Sequence, residues 1–242
     1  MGRCYSRLPQ VGKPLRPQQK DLLKSLRIIF VMGGPGCGKG TQCENMAAKY
    51  GFCHVGLGEL LREEANQATV RGQQIRDIML KGLLVPTGVI LDMVSDNILS
   101  RPESKGFLID GFPRELSQAK EFERIVGRSP NIVIVFDCST ETMIHRVLLR
   151  SQKGHREDDA EDVVRQRLET HYTLCEPILA FYQQKNLLRN EEHIFQSPLS
   201  GFTTSILNNI RFKTLLSQTS ASIYRGRFCS HLFLKFKTSN KK

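Results

Sequence analysis

Two apolar rhythms alternate along this chain. Unbroken apolar runs occupy 28–32 (IIFVM), 106–110 (GFLID) and 131–137 (NIVIVFD), with a shorter one at 52–55. Between them lie stretches in which apolar residues recur every three or four positions. These are 41–50, 58–64, 70–81, 86–100, 115–126, 139–151 and a long one at 160–185. In 86–100 the apolar set is Val89, Ile90, Met93, Ile98 and Leu99. Continuous runs read as strands covered on both faces, and the spaced ones read as helices. Strict strand–helix alternation predicts an α/β fold: a doubly wound, parallel sheet of about five strands with helices on both sides. Ligands of such sheets sit at the carboxyl ends of the strands.

The first run leads straight into glycine. Residues 27–43 read RIIFVMGGPGCGKGTQC, with Gly33, Gly34, Gly36, Gly38 and Gly40 broken by Pro35, Cys37 and Lys39. So much glycine after a strand suits backbone that turns through positive φ and comes close to a ligand. The following helix start adds partial positive charge and inward N–H groups, a nest for phosphate. The spacing Gly33-x-x-x-x-Gly38-Lys39 fits a Walker A loop (P-loop), in which Lys39 serves the outer phosphates. One letter departs: Gly40 stands where a Ser or Thr hydroxyl usually ligates Mg²⁺, and the hydroxyl arrives one place later, at Thr41. A dinucleotide fingerprint fails for want of glycine at Thr41. A protein-kinase reading fails because no H-R-D or D-F-G follows.

Acids and arginines then gather at the same predicted edge. Asp110 ends its strand as a Walker B acid does, and would orient Mg²⁺, directly or through water. Asp137 ends another strand, where a plain helix cap is the preferred reading. Arg146 and Arg150 stand one helical turn apart beside Met143 and Val147. Arg167 falls on the apolar stripe of Val163, Val164 and Leu168, whereas Arg165 faces away. Arg62, Arg114 in D-G-F-P-R, and Arg156 in the charged loop 154–159 complete the set. An arginine on a buried face wants an anion. Several converging on one edge suit transfer between two repelling nucleotide anions better than simple hydrolysis.

These segments together resemble the short-lid cytosolic adenylate kinases: GGPGCGKGTQ, GELLR, GFLIDGFPRE with Gln118 behind it, and GHREDD, continuous from about Lys24 to Asn190. The resemblance implies reversible phosphoryl transfer from MgATP to AMP, giving two ADP, with Mg²⁺ as cofactor. It implies that Gly36, Cys37, Gly38, Lys39, Gly40, Thr41, Arg146 and Arg150 hold ATP. AMP would be held by Leu57, Arg62, Leu83, Leu84, Val85, Gly111, Phe112, Pro113, Arg114, Gln118, Arg156 and Arg167. The catalytic group would be Lys39, Arg114, Arg150, Arg156 and Arg167, and Asp110 would meet Mg²⁺ through water. The kinase domain would cover 27–195, with a monophosphate-binding subdomain at 56–85 and a lid at 150–160.

Three departures from that pattern stand out. Leu57 replaces a threonine hydroxyl near the acceptor base, which keeps a pyrimidine (CMP or UMP) monophosphate kinase as an alternative. Cys37 replaces Ser or Ala, and a thiol at a helix start beside Lys39 is expected to be acidified and open to oxidation. After Asn190 the expected last apolar strand and closing helix give way to Glu191-Glu192 and a Ser-, Thr- and Lys/Arg-rich tail. The fifth strand is therefore doubtful. A nucleotide-binding protein with little turnover is the second alternative.

The formal charge of +11 sits at the ends. Residues 1–27 carry net +6 and residues 211–242 net +8, so 28–210 is net −3. Residues 1–26 read as a disordered basic leader, and 196–242 as a divergent basic tail with a makeshift helix at 202–216 and strand at 228–237. Binding of nucleic acid is not expected of the tail; a solvated segment is the simpler reading. Met1-Gly2-Arg3-Cys4-Tyr5-Ser6 fits an acylation pattern, and membrane contact is expected only if Gly2 is myristoylated. Seven cysteines without a paired framework point to a reducing, cytoplasmic setting with free thiols, and a monomer is expected.

Overall fold

In a computed structural model the chain is described at residues 8–154 and 156–192. The acylation site, the tail elements at 202–216 and 228–237, and His155 lie outside the described residues. Five strands form one parallel sheet: β1 (Ile28–Met32), β2 (Cys53–Gly56), β3 (Phe107–Asp110), β4 (Ile132–Asp137) and β5 (Leu188–Glu192). Their spatial order is β2-β3-β1-β4-β5. The helices are α1 (Pro17–Ser25), α2 (Lys39–Tyr50), α3 (Leu57–Ala65), α4 (Val70–Leu80), α5 (Thr87–Leu99), α6 (Leu116–Val126), α7 (Thr140–Lys153) and α8 (Glu161–Gln184). A 3₁₀ turn at Glu157–Asp159 separates α7 from α8.

β1 is buried along its whole length because it lies between two strands and two helical layers. Ile28 pairs with Phe107 on one side, and Ile29 with Ile132 on the other. Phe30 anchors one face. Its ring meets Phe112 and Phe122 edge-on at 4.9 Å, and Tyr182 of α8 at 6.1 Å. Edge-on aromatic pairs add to the burial that holds α6 and α8 on the sheet.

The doubtful fifth strand is present. Val133 pairs with Leu188, and the ladder runs on to Asp137 and Glu192. Position explains why its apolar run is short: β5 is the sheet's edge, and an edge strand tolerates polar residues that a central strand does not.

The leader differs from expectation from residue 8 on. Residues 17–25 form α1, and Leu23 is completely buried. Leu8, Leu15 and Leu22 pack on the same core. The Lys13 amide donates to Asp92 Oδ1 at 2.8 Å. Two glycines allow the close approach: a Cβ at Gly12 would come within 2.6 Å of Ile125, and one at Gly88 within 2.4 Å of the Val11 carbonyl oxygen. The basic charge of this segment masks a leucine spacing that supplies its docking face.

Candidate functional site

The phosphate loop joins β1 to α2 at the carboxyl edge of the sheet. Gly33, Gly36 and Gly38 have φ of 143°, 81° and 95°, conformations that side-chain-bearing residues rarely adopt. Gly36 also rests on α7, where a Cβ would meet the Met143 carbonyl oxygen at 2.4 Å. Lys39 opens α2 and folds back over the loop. Its Nζ donates to the Gly33 and Gly34 carbonyls, both at 2.7 Å, and lies 3.4 Å from Cys37 Sγ. The loop thus holds its own cation above its N–H groups.

Cys37 is fully buried. The expectation of an oxidisable thiol fails on access, because the loop folds over the sulfur: a Cβ on Gly33 would stand 2.8 Å from it. Thr41 is exposed, Arg146 is partly buried, and an Arg146 Nη lies 4.0 Å from where a Gly38 Cβ would be.

One cavity opens beside this loop. Its lining includes Lys39, Leu57, Arg62, Leu83, Leu84, Val85, Gly111, Pro113, Arg114, Gln118 and Arg167. Sequence reasoning named all of these. Phe112 is the exception among the acceptor residues: it does not line the cavity, and its ring is buried against Phe30. Arg150 and Arg156 do not line the cavity. Arg150 makes a two-pronged pair with Asp159, 2.7 Å from Nε and 2.6 Å from an Nη. Arg156 lies 3.8 Å from Glu59. Arg167 donates to the Asp158 backbone oxygen at 2.9 Å and to its carboxylate at 3.0 Å, and Arg62 approaches that carboxylate at 3.7 Å. Arg165, by contrast, is 63% exposed and pairs with Glu161 one turn away, as the helical phase predicts.

Asp158 and Asp159 are among the residues that sequence reasoning missed, as is His171 in the cavity lining. Both acids are buried, and each faces at least one arginine. Their signal is the acidic run Glu157-Asp158-Asp159 after Arg156, within the GHREDD segment, which reads equally well as a solvated loop.

Groups in the cavity are shifted. Arg114 is exposed to the cleft; desolvation by the surrounding protein first, and then Arg167, lower its pKa from 12.5 to about 10. It stays charged at neutral pH. Burial, then Lys39 and Arg114, push His171 down to about 4, so its ring is neutral. The Arg114 amide donates to Gln118 Oε1 at 2.9 Å, which fixes that carboxamide in the cavity wall.

Asp110 ends β3 beneath the loop, and a Cβ on Gly40 would lie 3.6 Å from its Oδ2. His54 Nε2 is 3.4 Å from the same oxygen. Cys43 of α2 completes a cluster whose ligand atoms all lie within 4.8 Å of one another. Burial first, then Asp110, raise the Cys43 thiol well above its usual pKa. Neither His54 nor Cys43 stood out in the sequence, because each falls on an ordinary strand or helix position. Asp137 accepts from the Cys138 amide at 2.9 Å, but the helix cap expected of it is Ser139, whose Oγ accepts from the Thr142 amide at 3.2 Å.

A phosphate loop and a cluster of arginines at the carboxyl edge of a parallel sheet define a P-loop phosphotransferase. The adenylate kinase family model matches residues 31–187. The chain is 46% identical over 190 residues to adenylate kinase isoenzyme 1 of Homo sapiens, covering 77% of this chain and 97% of that one. It is 44% identical over 170 residues to adenylate kinase isoenzyme 1 of Cyprinus carpio, covering 70% and 87%. With adenylate kinase isoenzyme 5 of Mus musculus it shares 48% over 168 residues, which is 69% of this chain and 30% of that protein. The chain belongs to the adenylate kinase family, and it is an enzyme of the isoenzyme 1-like type. Its reaction is reversible phosphoryl transfer from ATP to AMP, and the pyrimidine and non-turnover alternatives are not favoured.

Proposed function

We propose that this reaction is carried by Lys39, Arg62, Arg114 and Arg167 around the cleft described above, with Arg150 and Arg156 added from the segment 150–160 as it closes. Donor and acceptor phosphates repel one another, and a loose transition state spreads charge over the moving phosphoryl oxygens. Positioning and charge neutralisation therefore supply the rate, without a covalent intermediate. Lys39 leaves the loop carbonyls for the transferring phosphate. Arg62 and Arg114 grip the acceptor phosphate, while Leu57, Leu83, Leu84 and Val85 of 56–85, with Gln118, enclose its base. Gly36, Gly38, Gly40, Thr41 and Arg146 hold the donor. Asp158 and Asp159 fix the planes of Arg150 and Arg167 while leaving other N–H donors of each free for phosphate.

Asp110 fits a role toward Mg²⁺. It offers one hard oxygen at the loop, and Mg²⁺ prefers one or two carboxylates with water and substrate phosphate. Asp110 would hold the ion, directly or through water, and the ion would supply positive charge against the phosphates. The enzyme acts as a cytoplasmic monomer in this reading. In support, the five described cysteines are all free, and no described helix is long and apolar enough to cross a membrane.

The observation that carries the reading is the shared lining of Lys39, Arg62, Arg114 and Arg167 in one cavity. A coupled assay of ADP formation from MgATP with AMP, CMP, UMP and GMP side by side tests it. AMP should be the best acceptor, and Arg114→Ala should lower turnover about 10³-fold. Equal rates with all four, or an active Arg114→Ala enzyme, would sink it.

A further inference from the structure

The cluster beneath the phosphate loop contains more than magnesium needs. Cys43 lies on the buried face of α2, His54 on β2 and Asp110 at the end of β3. Three elements converge because β2 and β3 are parallel neighbours: Gly56 pairs with Asp110, so His54, two residues back, projects from the same face. Gly40, which lacks a side chain, leaves an approach to the Asp110 carboxylate.

From this geometry we infer that Cys43, His54 and Asp110 form a binding site for a borderline divalent cation, Zn²⁺, which shuts the enzyme down by occupying Asp110. Sulfur, imidazole nitrogen and carboxylate oxygen form the donor set that zinc selects, whereas Mg²⁺ takes oxygen. The spacing agrees. A tetrahedral zinc with nitrogen and oxygen ligands about 2.0–2.1 Å away holds those two atoms roughly 3.4 Å apart, and His54 Nε2 and Asp110 Oδ2 stand 3.4 Å apart. A sulfur ligand at about 2.3 Å sits roughly 3.5 Å from each of the others. Cys43 Sγ is already within 4.8 Å of both, a gap that a small side-chain rotation closes.

Binding needs no redox partner. The Cys43 thiol gives one proton to solvent, and the ion takes thiolate, imidazole nitrogen and carboxylate oxygen. Three protein ligands leave a fourth position open to water or a phosphate oxygen. Held there, Asp110 no longer serves the nucleotide's Mg²⁺. The inhibition rests on the role proposed above for Asp110; the binding does not.

Metal-free full-length protein titrated with Co²⁺, without nucleotide, gives the direct test. One equivalent should produce a thiolate-to-cobalt band in the near ultraviolet with intense tetrahedral bands in the visible, and Zn²⁺ should bleach both. Cys43→Ser should abolish the thiolate band, and His54→Gln should weaken cobalt binding at least about tenfold. No thiolate band in the wild type, or an unchanged band in both variants, overturns the site. In the ADP assay at fixed Mg²⁺, each protein is compared with its own zinc-free rate. The zinc concentration for half-inhibition should rise at least about tenfold in both variants, and an unmoved value overturns the inhibition. A wild-type chain without turnover would count against the kinase reading, while the cobalt titration still decides the site.

Discussion

The two sides of the cleft solve one problem by different means. In the proposed reaction the loop side meets phosphate with backbone: glycines at positive φ, a helix start, and one lysine parked on two carbonyls. On the opposite side it is met by side chains, arginines held in place by the buried acids Asp158 and Asp159. Backbone recognition depends on conformations that few residues can take, so it is fixed by local sequence. Side-chain recognition depends on partners brought together by the fold, and its rigidity is borrowed from carboxylates.

The sharpest way to break this comparison is at its cation. Lys39→Met should lower kcat about 10³-fold while thermal unfolding barely moves, since among the described residues the ammonium bonds only to loop carbonyls and a thiol. Asp159→Asn should do the reverse. Losing the buried partner of Arg150 should cost about 3 kcal/mol in stability, read by urea unfolding, with a smaller fall in kcat. Should Asp159→Asn leave stability intact, the acids are not what holds the arginine side together.

His171 lies between the two sides and gives a pH test. Its folded pKa of about 4 is below the value of about 6.5 expected when unfolded, so the unfolded chain binds the proton and the native state does not. Stability is full above about pH 6.5 and falls as pH drops toward about 4, by on the order of 2 kcal/mol. His171→Gln should flatten that slope in urea titrations run between those pH values. The smallest effect is expected at the acceptor base: Leu57→Thr should improve the AMP-to-CMP ratio of kcat/KM by about three- to tenfold.

Local rules made the loop side legible. Glycine spacing placed the phosphate loop letter by letter, and continuous apolar runs marked β1, β3 and β4. Helical phase correctly separated Arg167 from Arg165. What stayed hidden depended on distant partners. Arg150 was expected to face the cleft, and instead grips Asp159, because an acidic loop does not announce that it will be buried. Residues 8–26 were read as disordered because their charge is conspicuous, while the leucines that dock them on α5 and α6 are spread over a segment with few other apolar residues. The edge strand β5 was doubted for its glutamates, although Leu187 and Leu188 suffice to set its register on β4. Cys43 and His54 were invisible because the sequence separates them from Asp110, and only the β2–β3 register unites them.

The internal pairing of Arg150 and Arg167 has a consequence for the direction of the reaction. An arriving nucleotide does not meet bare charge. It meets guanidinium groups whose charge the seated carboxylates already offset in part, so its net grip is weaker than unpaired arginines would give. An enzyme arranged this way can clamp a highly charged ligand during transfer and still let either product go.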